Sequence, residues 1–319
     1  MGDDATRAGV PLTNLDEPLF DGAGARKRDL VDYLDAVRDR LLPHLRGRPL
    51  SVVRARRGQA PFMQKNVPGY APDWVRTVPL WSASSRREVR YALCDDRRTL
   101  LWLANQRAVE YHPTLVRADR PDHATHLVLD LDPPEGAGFG PVVRAAGLVR
   151  AALAEAGLAG AVKTSGSKGL HVVVPLDRGT TADEAAAATR ALAERAERLD
   201  PALLTTAFLR DDRGGRVLLD ATRTGGATVV AAYSPRVRPG TPVSFPVAWS
   251  DLDRVTPADF TVHTAARLLA GADAWADGGW PPPARLPADL VAHGRTILAA
   301  RVQAMHEGRR RARARRAQR

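Results

Sequence analysis

Cysteine occurs once in the 319 residues, at Cys94. That excludes an internal disulfide and a cysteine-built zinc cluster, and it fits a reducing cytoplasm. Cys94 itself reads as a small strand hydrophobe. Long apolar runs are also missing: nothing approaches the ~20 consecutive residues of a membrane span, so no membrane partner is expected. The opening Met1-Gly-Asp-Asp-Ala-Thr-Arg lacks a basic segment followed by an apolar one, so no secretion signal is expected. Lysine is scarce. The 47 basic residues, set against 36 acidic ones, are nearly all arginine, the side chain better suited to bidentate phosphate contacts. Seven of the eleven residues from Arg309 to Arg319 are arginine, so the rest of the chain carries only +4 of the formal +11. This tail is either a solvated end or a nonspecific nucleic-acid arm.

What is present is a globular composition, 44% hydrophobic and 26% charged, enough for one large or two modest domains with a core. Leu30, Leu34, Val37 and Leu41 recur at helical spacing and predict one amphipathic helix over residues 27–45, stopped at Gly47-Arg-Pro49. Short strands are expected at Leu50–Arg54, Arg90–Cys94 and Leu100–Leu103, with Asp95-Asp96 in the turn between the last two. Gly140–Leu158 and the stretch after Thr181 read as alanine-rich helices, the second opened by a capping box of Thr181 and Glu184. Further strands are expected at His171–Pro175, Arg216–Asp220 and Thr228–Ala232, then helical structure over 257–267 and before the tail. Alternating strands and helices favour a mixed α/β sheet, and no internal repeat is visible.

Chemistry gathers first at Leu127-Val-Leu-Asp130-Leu-Asp132-Pro-Pro. Alternate strand residues share a face, so Leu127, Leu129 and Leu131 would pack on one side and Asp130 and Asp132 point to the other. Pro133 and Pro134 end the strand there. Two crowded carboxylates repel, and a divalent cation or a shared proton relieves them, although such a doublet also occurs at ordinary turns. Lys163-Thr-Ser165-Gly-Ser167-Lys168-Gly169-Leu-His171 is a glycine-spaced turn with hydroxyls, lysine and histidine, suited to phosphate but also compatible with plain loop chemistry. Asp220 closes another strand and is either a third carboxylate of the set or a cap. His112, before Pro113, is either structural or part of a site.

These segments closely resemble the polymerase domain of the bacterial non-homologous end-joining ligase (ligase D), a branch of the archaeo-eukaryotic primase superfamily. The match rests on Leu12-Thr-Asn-Leu-Asp16, Leu42–Pro49, Gln64-Lys-Asn66, Trp102–Gln106, His112-Pro113, Asp130–Pro134, Ser165–His171 and Tyr233-Ser-Pro-Arg236, in order and at matching spacing. The resemblance implies an α/β (α+β) fold with mixed, largely antiparallel central sheets flanked by helices around a primase-like catalytic core. That core would span residues 1–305 as one catalytic domain with an N-terminal extension, with the basic tail at 306–319.

By resemblance the activity is template-directed addition of nucleotides, ribonucleotides preferred, to 3′ ends at DNA breaks or short gaps. Asp130, Asp132 and Asp220 would hold two Mn²⁺ or Mg²⁺ ions. Ser165, Lys168, His171 and Arg213 would grip the triphosphate, and His112 would lie near the nucleotide and its sugar. Phe62 matches a base-stacking aromatic, Lys65 falls in a DNA-contacting segment, and Asn14 and Lys27 match residues that hold a 5′-phosphate. Implied partners are DNA ends and gapped duplex, nucleoside triphosphates, the Ku end-binding protein and a separate ATP-dependent DNA ligase, in a nucleoid-associated cytoplasmic setting.

Three departures stand out. The family usually reads aromatic-Ser-Gln-Asn after the third aspartate, whereas this chain has Ala221-Thr-Arg-Thr224. Met63 stands where a second aromatic is common, and Glu17 replaces a lysine that would attract the 5′-phosphate. Two alternatives therefore stay open: an end-synapsing DNA-binding module whose catalysis has lapsed, and a phosphohydrolase using Asp130 as nucleophile.

Overall fold

The computed structural model describes residues 5–82, 86–224, 226 and 228–298, so the arginine-rich segment 306–319 lies outside the described residues. Among the described residues no helix is long and apolar enough to cross a membrane. The chain forms two compact units. One comprises the chain up to Asp122 with Val162–Lys168 and Thr228–Trp280, the other His123–Ala161 with Gly169–Ala227 and the chain from Pro281. The expected mixed architecture of helices and largely antiparallel sheets is what forms.

In the first unit, the helix expected over 27–45 is two helices, α1 (Lys27–Ala36) and α2 (Arg38–Leu45). The break falls at Val37, whose carbonyl accepts from both Arg40 N and Leu41 N and so tightens the turn. Gly47, at φ +68°, then takes the left-handed position that ends a helix. Strands β1 (Pro49–Arg54), β2 (Phe62–Gln64), β3 (Thr77–Ser82) and β4 (Arg87–Leu93) form a sheet in the order β2-β1-β4-β3. The strand expected at Leu100–Leu103 is instead part of helix α3 (Arg97–Asn105). Its start is fixed by Asp96, whose side chain accepts from Thr99 N at 2.8 Å. A short apolar run buried on all sides does not tell strand from helix, and the cap decides it. Strand β5 (Ala108–Pro113) follows α3 and pairs with β1.

Residues 228–232, expected as a strand, make only an isolated bridge from Thr228 to Thr114 and single bonds from Val229 N and Ala231 N to carbonyls of β5. The backbone then turns at Tyr233, φ +66°, before a ladder develops. The helical region expected at 257–267 is a 3₁₀ turn, Pro257–Asp259, followed by a helix only at Ala265–Gly271.

The second unit holds the aspartate strand β6 (His126–Asp132), helix α4 (Gly140–Glu155), strand β7 (Leu170–Pro175), helix α5 (Ala182–Leu199), the short strand β8 (Leu204–Thr205), strand β9 (Val217–Asp220) and helix α6 (Ala288–Thr296). The order β8-β9-β6-β7 puts β6 between β9 and β7, antiparallel to both. Leu127, Leu129 and Leu131 are fully buried, and each such side chain contributes about 2 kcal/mol of hydrophobic free energy to holding the strand in place. Helices α4 and α5 pack on this sheet. The Thr181–Glu184 capping box forms as the sequence predicts and fixes where α5 begins. Helix α6 approaches α5 so closely that a Cβ at Gly294 would overlap the backbone of Ala187.

Candidate active site

The register of the second unit assembles the carboxylates. Asp130 on β6 lies directly opposite Asp220 on β9 and opposite His171 on β7, while Asp132 is two residues further along the same strand. A Cβ at Gly169 would overlap the carbonyl oxygen of Leu131, so only glycine lets β7 begin this close to β6. His171 Nε2 is 3.2 Å from Asp130 Oδ1. On its other side Asp130 meets Arg223, whose Nε donates to Oδ2 at 2.9 Å and stands 3.4 Å from Asp220 Oδ2.

The electrostatics follow from that arrangement. Burial opposes charge on Asp130, but His171 and Arg223 outweigh it and bring the carboxyl down to about 2. Asp132 goes the other way: burial, then the negative charge of Asp130, raise it to about 6. The chemistry of the donor set fits a hard divalent cation, because three carboxylates on two paired strands crowd charge that such an ion would offset. Among the described residues no three His, Cys, Asp or Glu side chains already converge as a metal-holding group. Arg223 is a cation in contact with two of the carboxylates, Asp130 and Asp220. Arg213, half-buried in the same unit, donates from Nε to Ala207 O at 3.3 Å and from Nη2 to Phe208 O at 2.9 Å, and its positive charge acts on Asp132.

In the first unit, Ser165 and His112 are brought together through two residues to which the sequence reading gave no role. Arg236 Nη1 donates to the Ser165 carbonyl at 2.6 Å, and its Nε lies 3.1 Å from Glu110 Oε2. Glu110 Oε2 in turn bonds His112 Nε2 at 2.7 Å, and Oε1 accepts from Val237 N at 2.8 Å. Burial opposes the charge of Glu110, yet these partners hold its carboxyl down at about 2. Burial lowers His112 despite Glu110. Gly166, at φ +67°, passes so close to Arg236 that a Cβ there would lie 2.6 Å from its Cγ. Ser165 is buried and Lys168 exposed.

The LigD primase-polymerase domain family matches residues 26–275. The chain belongs to this family, one of nucleotidyltransferase domains. The multifunctional non-homologous end joining DNA repair protein LigD of Mycobacterium tuberculosis is 35% identical over 260 residues, which are 78% of this chain and 34% of that protein. The bifunctional non-homologous end joining protein LigD of Bacillus subtilis is 34% identical over 262 residues, 80% of this chain and 41% of that protein. The chain thus spans about a third to two fifths of the length of these relatives. Among solved structures, the polymerase domain from Mycobacterium tuberculosis ligase D in complex with DNA aligns with a TM-score of 0.78 and 33% identity, covering 86% of this chain and 99% of that one.

The residues that the LigD resemblance assigns to DNA all lie in the first unit. Phe62 and Met63 of β2 are 36% and 45% exposed, and with exposed Lys65 they line a groove of about 280 Å³ that also includes Gln64, Asn66, Arg87 and Val89. Arg54 stands 6.0 Å from the Phe62 ring centroid and donates to Gln64 Oε1 and Tyr70 Oη at 2.8 and 3.0 Å. Asn14 is exposed at φ +54°. Lys27 is 3% exposed and donates to Thr13 O and Asn105 Oδ1 at 2.5 and 2.6 Å, so its ammonium faces the protein rather than solvent. Glu17 is paired with Arg107 Nη1 at 3.1 Å.

Three functional candidates escaped the sequence reading. Glu110 was within reach, since residues two apart on a strand share a face and Glu110 precedes His112 by two. Arg236 lies in the Tyr233–Arg236 segment that carries the resemblance. Arg223 lies where the chain departs from the family, and nothing in the sequence says that its side chain turns toward Asp130.

Proposed function

We propose that the chain is a template-directed nucleotidyltransferase that extends 3′ ends at DNA breaks or short gaps. The observation that carries the reading is the opposition of Asp130 and Asp220 on paired strands beside Asp132, in a chain of the LigD primase-polymerase family. Asp130, Asp132 and Asp220 are the residues that would hold divalent Mn²⁺ or Mg²⁺. Bound there, such ions would offset negative charge on the reacting phosphate and lower the cost of ionising the primer hydroxyl.

The chain's own residues would supply the rest. His171 orients Asp130 from the neighbouring strand. Ser165, Lys168, His171 and Arg213 would bind the triphosphate, with glycine at 166 letting the turn pack closely on Arg236 and Ser244. Glu110 and Arg236 hold His112 and the Ser165 carbonyl in fixed positions, which suits contact with the nucleotide sugar, and we assign the ribonucleotide preference to that cluster. Phe62 and Met63 would stack on bases without reading sequence, and Lys65 would meet the backbone. Asn14 would approach a 5′-phosphate, with Lys27 acting through Asn105 and Thr13. DNA ends, nucleoside triphosphates, Ku and a separate ligase are the proposed partners.

Contact of Arg223 with two of the three carboxylates favours one second reading, an end-binding module without synthesis. Primer extension on a gapped duplex with Mn²⁺ separates the two. Synthesis by the wild type that disappears in Asp132→Ala, with DNA binding retained, supports the polymerase. DNA binding without synthesis in the wild type supports the module. The family match leaves the phosphohydrolase alternative without support.

A further inference from the structure

Arg223 sits among the carboxylates because its neighbours hold it there. Thr222 N donates to Asp220 Oδ1 at 2.7 Å on one side of it. On the other side the buried hydroxyl of Thr224 accepts from Val128 N at 3.1 Å and is met by Thr189 Oγ1, also at 3.1 Å. The segment after β9 is thus tied to Asp220 just before Arg223, and to β6 and helix α5 just after it. From that fixed backbone the guanidinium reaches the carboxylates: its Nε lies 2.9 Å from Asp130 Oδ2 and 3.4 Å from Asp220 Oδ2. Its side chain is nevertheless 39% exposed, whereas that of Asp130 is 6% exposed. A long side chain with one flank in solvent has room to withdraw; the carboxylate beneath it does not.

We propose that Arg223 is a resident, displaceable cation of the carboxylate cluster, occupying the oxygens of Asp130 and Asp220 until a divalent ion takes them. The inference rests on the reading of these aspartates as metal ligands. A guanidinium held on Asp130 Oδ2 and close to Asp220 Oδ2 competes with a divalent cation for these oxygens, because two cations so close repel. Binding of a divalent ion to these oxygens would therefore include the breaking of the Arg223 contacts, which would lower the affinity for the ion. In return, the buried Asp130 is never left without a countercharge when metal is scarce. The arrangement sets a threshold: the site loads only when the divalent ion is abundant enough to outcompete an arginine attached to the same strand end. Once displaced, the arginine remains beside the site as a free positive charge.

The test is Mn²⁺ titration of the full chain followed by electron paramagnetic resonance, without DNA or nucleotide, for the wild type, Arg223→Gln and Asp132→Ala. An opposite charge at hydrogen-bond distance shifts the equilibrium of a carboxylate by roughly one to three powers of ten, so R223Q is expected to bind Mn²⁺ at least about tenfold more tightly than the wild type. Equal or weaker binding by R223Q overturns the proposal and leaves the metal reading standing, provided D132A binds less Mn²⁺ than the wild type. Absence of Mn²⁺ binding in both the wild type and R223Q overturns both. A second measurement uses the wild type alone, so it does not depend on the variant folding. The Arg223 Nε–H resonance, assigned in the wild type by through-bond correlation to the Arg223 backbone, is expected to move on Mg²⁺ addition to the position of solvent-exposed arginines. A resonance that stays in place while Mg²⁺ binds overturns displacement.

Discussion

Asp132 follows Asp130 by two residues on one strand, and the first carboxyl is pushed up to about 6 while the second is held at about 2. Burial, then the charge of Asp130, makes ionised Asp132 costly, so function and stability oppose one another there. The sign follows from the raised value. The cost is absent below the ordinary value of 3.8, grows as pH rises towards 6, and is complete above it. Asp132→Asn should therefore be more stable than the wild type at pH 8 in metal-free buffer, by about 1–3 kcal/mol, and no more stable at pH 3. Chemical denaturation at the two pH values measures it. A loss of stability at pH 8 would mean that the carboxylates do not repel as described.

Glu110 shows the reverse sign. Its carboxyl lies at about 2 against an ordinary 4.5, through His112, Arg236 and Val237 N, which outweigh burial. The stabilisation is present above 4.5 and disappears as pH falls from 4.5 towards 2. Glu110→Gln should lower the unfolding midpoint at pH 7 and remove much of the wild type's loss of stability between pH 4.5 and 2. It should also raise KM for nucleotide more than it lowers kcat, since Glu110 positions His112. Unchanged acid sensitivity in E110Q would exclude Glu110 as the titrating group.

Close strand contact at Gly169 gives a prediction independent of chemistry. A methyl group there collides with the carbonyl of Leu131, one residue from Asp132. Gly169→Ala should cost about 2–4 kcal/mol and lower synthesis with it, whereas Gly147→Ala, on α4 with open space around it, should be neutral or slightly stabilising. Thermal unfolding of the two variants makes the comparison; equal midpoints would contradict the close approach of β6 and β7.

Recognition of a 5′-phosphate should be weak. The Lys27 ammonium is engaged by Thr13 and Asn105, and Glu17 adds a carboxylate that engages Arg107 and Arg57. Exposed charge pairs of this kind are worth up to about 1 kcal/mol, so removing the 5′-phosphate from the downstream strand should change the Kd for gapped DNA by less than about fivefold. A larger loss, measured by fluorescence anisotropy, would show that the phosphate is gripped despite Glu17.

The sequence made the aspartate strand legible because period-two alternation, a double proline and two like charges all point to one interpretation. The Thr181 capping box was legible for the same reason: its signal is local. Leu100–Leu103 was misread because a run buried on all sides carries no periodicity, and the deciding interaction is the cap at Asp96. Residues 228–232 look like a strand by composition, but they meet β5 only through single bonds, and the backbone turns at Tyr233 before a ladder develops. The site was legible to the same extent. Three carboxylates could be named from strand ends, but their opposition depends on register between segments about 40 and 90 residues apart, and the presence of Arg223 between them depends on hydrogen bonds at Thr222 and Thr224.

The central claim is that these carboxylates drive synthesis at a DNA end. Its most direct test is the rate of nucleotide addition to the 3′ end of a short-gapped duplex with Mn²⁺, for the wild type and Asp132→Asn in the same buffer. The account predicts templated extension by the wild type and a loss of more than about hundredfold in the variant, with DNA binding unchanged, since even residues that only support a metal ligand cost 10- to 100-fold. No extension by the wild type, or equal extension by both, would contradict it.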